Sequence, residues 1–166
     1  DSNVSPEDIR SNVIDQLGSM AEIADECGVT LIHENEKDIY GDTGDRCLDL
    51  AVNLPALGHC FDFSNFVQCD EDALECWNKL RDYVVYFDVK DAIAGSGVVV
   101  PAGEGDGRLV EIFSDAISSG YDDRFNLEPH LSDGGQFGGS TSPQLFEVAV
   151  NALNKVLVEA SAGTSE

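Results

Sequence analysis

Apolar residues recur at three- and four-residue steps through Ile9, Val13, Leu17, Met20, Ala21 and Ala24, a one-sided stripe that predicts a helix over residues 6–27. Ser5 offers an N-cap, Pro6 suits the first helical position and Glu7 and Asp8 favour the first turn, while Gly28 supplies the stop. The pattern then switches to short β-rich runs alternating with further helical stretches. Strands are predicted at Val29–Glu34, Leu57–Asp62, Asp82–Asp88 and Phe125–Glu128, the last stopped by Pro129. Between them, helices are expected over 46–54 and 71–80, with Leu74, Trp77 and Leu80 inward. A third, opened by Asp106 or Gly107, carries Leu109, Ile112, Phe113, Ala116 and Ile117 to Gly120. Residues 92–107 read as glycine-rich and irregular apart from a short strand at Val98–Pro101, and 132–142 as a glycine-rich loop. Ser142-Pro143 starts a closing helix through Leu145, Phe146, Ala149, Leu153 and Leu157, before a polar tail over 160–166. One helix followed by helix-strand alternation predicts an α/β fold with a parallel sheet, a single domain over 1–166.

Charge narrows the partners. Thirty-two acidic against nine basic residues give a formal net charge of −23, which repels phosphate backbones and anionic lipid surfaces. Neither nucleic acid nor a membrane is expected as a partner. No run is long enough to span a bilayer, and the first residues lack a basic and apolar leader, so a cytoplasmic location is expected. Five cysteines without CxxC or Cys/His ligand spacing point to reduced packing thiols.

The acids matter most where strands end. Glu34, Asp62, Asp88 and Glu128 each close one of the four predicted strands, at spacings that suit strand-loop-helix-loop units. The ends of α/β strands are where chemistry collects. Four carboxylates brought together need a cation, and an all-oxygen set suits Mg²⁺ or Mn²⁺ better than Zn²⁺. Solvated strand ends in an acidic chain are the other reading of the same spacing, and both stay open at this point.

The runs Gly28-Val-Thr-Leu-Ile-His-Glu-Asn-Glu36, Asp62-Phe-Ser-Asn-Phe66, Tyr86-Phe-Asp-Val-Lys-Asp91, Gly103-Glu-Gly-Asp-Gly107, Gly120-Tyr121 and Leu127-Glu-Pro-His130 resemble the later portion of the sugar phosphate isomerase/epimerase family. The resemblance holds in order and spacing over nearly the whole chain. It implies the C-terminal half of a xylose-isomerase-like TIM barrel: a parallel (β/α) half-barrel of four βα units preceded by one helix. It also implies a divalent metal held by Glu, Asp, His and Glu at successive strand ends. Glu34, Asp62 and Glu128 match three of these positions, and Asp88 stands where the family has His, so Asp88 becomes the fourth candidate ligand.

The activity implied is isomerisation or epimerisation of a sugar or sugar phosphate by proton transfer through a metal-stabilised enediolate. Glu34 and Glu128 would exchange protons on opposite faces, and Lys90 would either stabilise the oxyanion or pair with Asp62 or Asp91. Asn65 and His130 are candidates for binding substrate hydroxyls, or for fixing their loops. Since a complete barrel has eight strands, the expected partner is a second copy closing the barrel as a homodimer. The alternative is a catalytically inactive half-barrel fragment or pseudoenzyme that self-associates. A metal-dependent hydrolase, lyase or nuclease would need more histidines than three and a basic groove. His33 should point away from Glu34. Gly103–Gly107 reads as a turn with Asp106 capping the next helix, because Glu104 and Asp106 oppose a phosphate there.

Overall fold

The computed structural model describes residues 5–131 and 141–163. Most of the expected 132–142 loop and the end of the polar tail therefore lie outside the described residues. Helix α1 (Pro6–Glu26) has the expected start: the Ser5 hydroxyl accepts from the Asp8 N–H while the Asp8 carboxylate accepts from the Ser5 N–H. Gly28 follows it at φ +70°, a conformation that glycine adopts without a Cβ penalty.

Four parallel strands follow: β1 (Ile32–Glu34), β2 (Gly58–Asp62), β3 (Val84–Val89) and, later in the chain, a sheet strand at Phe125–Leu127. They lie side by side in chain order, each pair parallel, so the fold is the α/β half-barrel expected. Between β1 and β2 runs α2 (Gly44–Asn53), capped by Thr43; between β2 and β3 run α3 (Phe63–Gln68) and α4 (Ala73–Leu80). A small antiparallel pair, β4 (Asp91–Ala92) and β5 (Val99–Val100), forms after β3, then α5 (Leu109–Ser118), the strand Phe125–Leu127 as β6, and α6 (Pro143–Ala162), capped by Ser142.

Three expectations change. Helix α3 is additional; Asp62, the last residue of β2, is its N-cap, and Phe63, Phe66 and Val67 bury its face. Helix α5 begins on Arg108 in the left-handed region without a side-chain cap, because Asp106 accepts instead from the Ala94 N–H, 2.7 Å away. The final helix continues to Ala162, past the start of the expected tail, since Val156 and Ala160 are buried against the core.

The strands alternate. One face of the sheet carries Phe61, Phe87, Val89 and Phe125 into an aromatic core with Phe63, Phe66, Trp77, Phe113 and Tyr121 under the helices. His33 and His59 lie at the margin of that helix-facing side, ring centroids 5.5 Å apart, so His33 does turn away from Glu34's face. The opposite face carries Ile32, Cys60, Tyr86, Asp88 and Asn126, and apolar Ile32 and Val85 are exposed on it. The register of β2 and β3 slips by one residue at Val85: His59 pairs with Val84, but Cys60 pairs with Tyr86. A Cβ on Gly58 would come within 2.7 Å of Val85 Cγ2, so glycine makes room for the extra residue.

Among the described residues no helix is long and apolar enough to cross a membrane. All five cysteines are free, Cys47, Cys60 and Cys76 buried.

Candidate metal centre

Carboxylate oxygens of Glu34, Asp62 and Glu128 lie within 4.8 Å of one another at the C-terminal ends of β1, β2 and β6. Backbone hydrogen bonds bring them there: Glu34 pairs in register with Cys60, and the Glu128 N–H donates to the Val89 carbonyl (3.1 Å). Asp62 is wholly buried. Its Oδ1 accepts from the Asn65 N–H (2.9 Å), while its Oδ2 receives no hydrogen bond. Lys90 Nζ lies 2.9 Å from that Oδ2, a charge contact without hydrogen-bond alignment, and donates to Glu128 Oε2 at 2.8 Å. Three carboxylates this close, one of them wholly buried and two of them balanced only by the Lys90 ammonium, fit a hard divalent cation with oxygen ligands.

Asp88 is not part of this triangle. It pairs in register with Asp62, but its Oδ1 accepts from Asn126 Nδ2 (2.5 Å) and its Oδ2 lies 3.4 Å from the Cys60 thiol. The structure therefore brings together three of the four candidate carboxylates. His130, at φ +43°, places Nε2 3.5 Å from Glu128 Oε1. Asn65 is fully buried: its Nδ2 donates to the Asn35 carbonyl (2.9 Å) and approaches Glu34 Oε1 at 3.4 Å, and its Oδ1 accepts from Lys37 Nζ. That is the loop-fixing arrangement, and it leaves no free edge of the amide.

Crowding sets the electrostatics. Burial, then Asp62, Asp88 and Glu128, push the Glu34 carboxyl up to about 7. Complete burial raises Asp62 to about 6 against the pull of Lys90 and the Asn65 amide. Burial pulls the Lys90 ammonium down, but its two carboxylate partners outweigh it and hold it above its ordinary value. The site therefore holds one carboxyl that titrates in the neutral range beside a charged lysine. That is a group able both to give and to take a proton.

Two supports were not legible as such. Asn35 brackets the end of β2: its Oδ1 accepts from the Asp62 N–H and its Nδ2 donates to the Asp62 carbonyl, both at 2.9 Å. Asp91, fully buried, accepts from the N–H groups of Ala92, Gly103, Gly105 and Gly107, so the glycine run closes on this carboxylate rather than on a phosphate. A side chain at Gly105 would collide with the Asp91 carboxylate and the Ala92 carbonyl. Lys37 bonded to Gln68, and Gln68 to the Gly97 carbonyl, carry the framework across the top of the sheet.

Solved structures share this architecture. A D-tagatose 3-epimerase-like protein superposes with a TM-score of 0.71 at 19% identity, over 95% of this chain and 56% of its own. A xylose isomerase-like TIM barrel protein from Mycobacterium smegmatis in complex with magnesium gives 0.70 at 20%, over 98% and 54%. The IOLI protein with a binding zinc atom gives 0.71 at 15%, over 95% and 59%. The chain thus spans little more than half the length of each of these three structures. No curated protein matches it in sequence. A family profile described as xylose isomerase-like TIM barrel matches residues 1–155, and the chain belongs to that family.

Proposed function

We propose that this chain carries the metal-binding half of a sugar isomerase or epimerase that works by proton transfer beside a carbonyl. The observation that carries the reading is the triangle of Glu34, Asp62 and Glu128, with Asp62 wholly buried at its centre-facing corner. Magnesium and zinc in neighbouring structures, and an epimerase-like protein among them, support it. Mn²⁺ or Mg²⁺ would be held by these three carboxylates, with Asp88 in the same row as Asp62 but engaged by Asn126 and Cys60. When bound, such an ion polarises the substrate's hydroxyl and carbonyl oxygens and acidifies the C–H between them.

The rest falls to this chain's side chains. Glu34 takes or gives a proton at its carboxylate on one side of the substrate, and Glu128 does the converse on the other. Asn65 holds the Glu34 carboxylate in place from beneath, and half-exposed His130 offers Nε2 toward a substrate hydroxyl. Sugar is the substrate class this acid-lined, hydroxyl-matching site suits. A homodimer that closes two half-sheets into one barrel would cover Ile32 and Val85 and complete the substrate wall.

The test is metal content after dialysis against Mn²⁺. One equivalent per chain, lost in Glu128→Gln with the circular dichroism spectrum unchanged, is the expected result. No retained metal in the folded parent chain would overturn the reading in favour of a non-catalytic half-barrel.

A further inference from the structure

Lys90 touches two of the three carboxylates that a metal would use. Its Nζ is 2.9 Å from Asp62 Oδ2 and 2.8 Å from Glu128 Oε2, and its side chain is only 5% exposed. Asp62 has no alternative to offer, because Oδ1 is already taken by the Asn65 N–H. Ligand oxygens no more than 4.8 Å apart enclose one central position, and the ammonium is bound to two of the three groups that surround it. Two cations sharing the same oxygens in a place that water hardly screens repel each other strongly. The ammonium is held by its hydrogen bond to Glu128 Oε2 and its 2.9 Å contact with Asp62 Oδ2, and a doubly charged ion that competes for both carboxylates can remove it.

We propose that Lys90 is a displaceable internal counter-cation: entry of a divalent ion between Glu34, Asp62 and Glu128 evicts its ammonium toward the open mouth of the sheet. The proposal rests on the metal reading above. It joins the two roles the sequence offered for Lys90. The residue is the ion-pair partner of Asp62 until the metal arrives, and a cation free to face a substrate oxyanion afterwards. The four-carbon stem gives the reach for such a swing without moving the backbone.

Two measurements on the full chain test it. Mn²⁺ titration followed by electron paramagnetic resonance should show binding about tenfold tighter in Lys90→Met than in the parent chain, with Lys90→Arg close to the parent. Acylation of the parent chain, read lysine by lysine by mass spectrometry, should speed about fivefold at Lys90 on adding Mg²⁺ and stay constant at exposed Lys79 and Lys155. If metal binds while Lys90 acylation is unchanged, or if Lys90→Met binds no tighter, the displacement idea fails and the metal reading survives. If neither chain binds Mn²⁺, both fail together. Should Lys90→Met not fold, the acylation experiment decides by itself.

Discussion

Asn35 grips the backbone of Asp62 from both sides, accepting from its N–H and donating to its carbonyl at 2.9 Å each. The grip fixes the end of β2 relative to the end of β1, and so the separation of Glu34 and Asp62. Asn35→Ala removes both partners and leaves two buried backbone groups unsatisfied, an expected loss of about 3 kcal/mol. The urea midpoint should fall accordingly and Mn²⁺ binding should weaken with it. Full retention of both would mean that strand pairing alone sets the spacing.

Asp91 does the same work for residues 93–107. Asp91→Asn replaces one acceptor oxygen by an amino group facing N–H donors, and the expected destabilisation is again about 3 kcal/mol. Hydrogen exchange at the amides of Gly103, Gly105 and Gly107 should accelerate together, because one carboxylate protects all three. Gly105→Ala should produce the same exchange pattern by pushing on that carboxylate from the other side.

Acid should weaken the fold through His59. Burial and the neighbouring His33 lower it from 6.5 to about 4, so the folded chain prefers the neutral ring. The contribution is complete above pH 6.5 and is lost as pH falls toward 4, at most ~3 kcal/mol. Glu34, raised from 4.5 to about 7, has the opposite slope: its contribution is complete below pH 4.5 and lost as pH rises through 7. The two partly cancel in the parent chain. Subtracting the stability profile of His59→Phe from that of the parent should therefore expose the histidine slope between pH 6.5 and 4; a flat difference would place His59 in a solvated setting.

Metal binding should release protons. Because Glu34 carries a proton for part of the time at neutral pH, a cation that needs its carboxylate must expel it. Calorimetric titrations with Mg²⁺ at pH 6.5 in buffers of different ionisation enthalpy should report close to one proton released, falling toward zero at pH 8.5. Glu34→Gln should remove most of this release and leave the smaller share that Asp62, raised to about 6, contributes.

A charge of −23 makes self-repulsion part of the stability. The thermal midpoint should rise from 0.05 M to 1 M KCl, where the screening length shrinks to about 3 Å. A midpoint that falls with salt would show that ion pairs such as Arg10–Asp49, 2.6 Å, outweigh the repulsion.

Much of this was legible because periodicity and strand-end chemistry are local signals. Ser5, Pro6 and Gly28 announce α1 without any tertiary knowledge, and Glu34, Asp62 and Glu128 stand out as acids closing apolar runs. Helix α3 was harder, since its N-cap is Asp62 itself and that residue already read as a strand terminus; the spacing of Phe63, Phe66 and Val67 was the signal. Asp106 looked like a helix cap because it precedes the apolar stripe, yet Ala94, twelve residues upstream, claims its carboxylate. Asp88 matched the fourth ligand position by order alone. Whether a carboxylate there turns to the triangle depends on Asn126 and Cys60, cross-strand neighbours that linear spacing does not reveal.

The slip at Val85 separates the two ends of the sheet. Above it Cys60, Phe61 and Asp62 stay matched to Tyr86, Phe87 and Asp88, and below it His59 stays matched to Val84. One surplus residue is absorbed where Gly58 leaves space, so changes of chain length near the floor need not propagate to the rim. Deleting Val85 should therefore straighten β3 while leaving the acidic rim in place, and the turn entering β3 is free to drift in length without disturbing the chemistry at its far end.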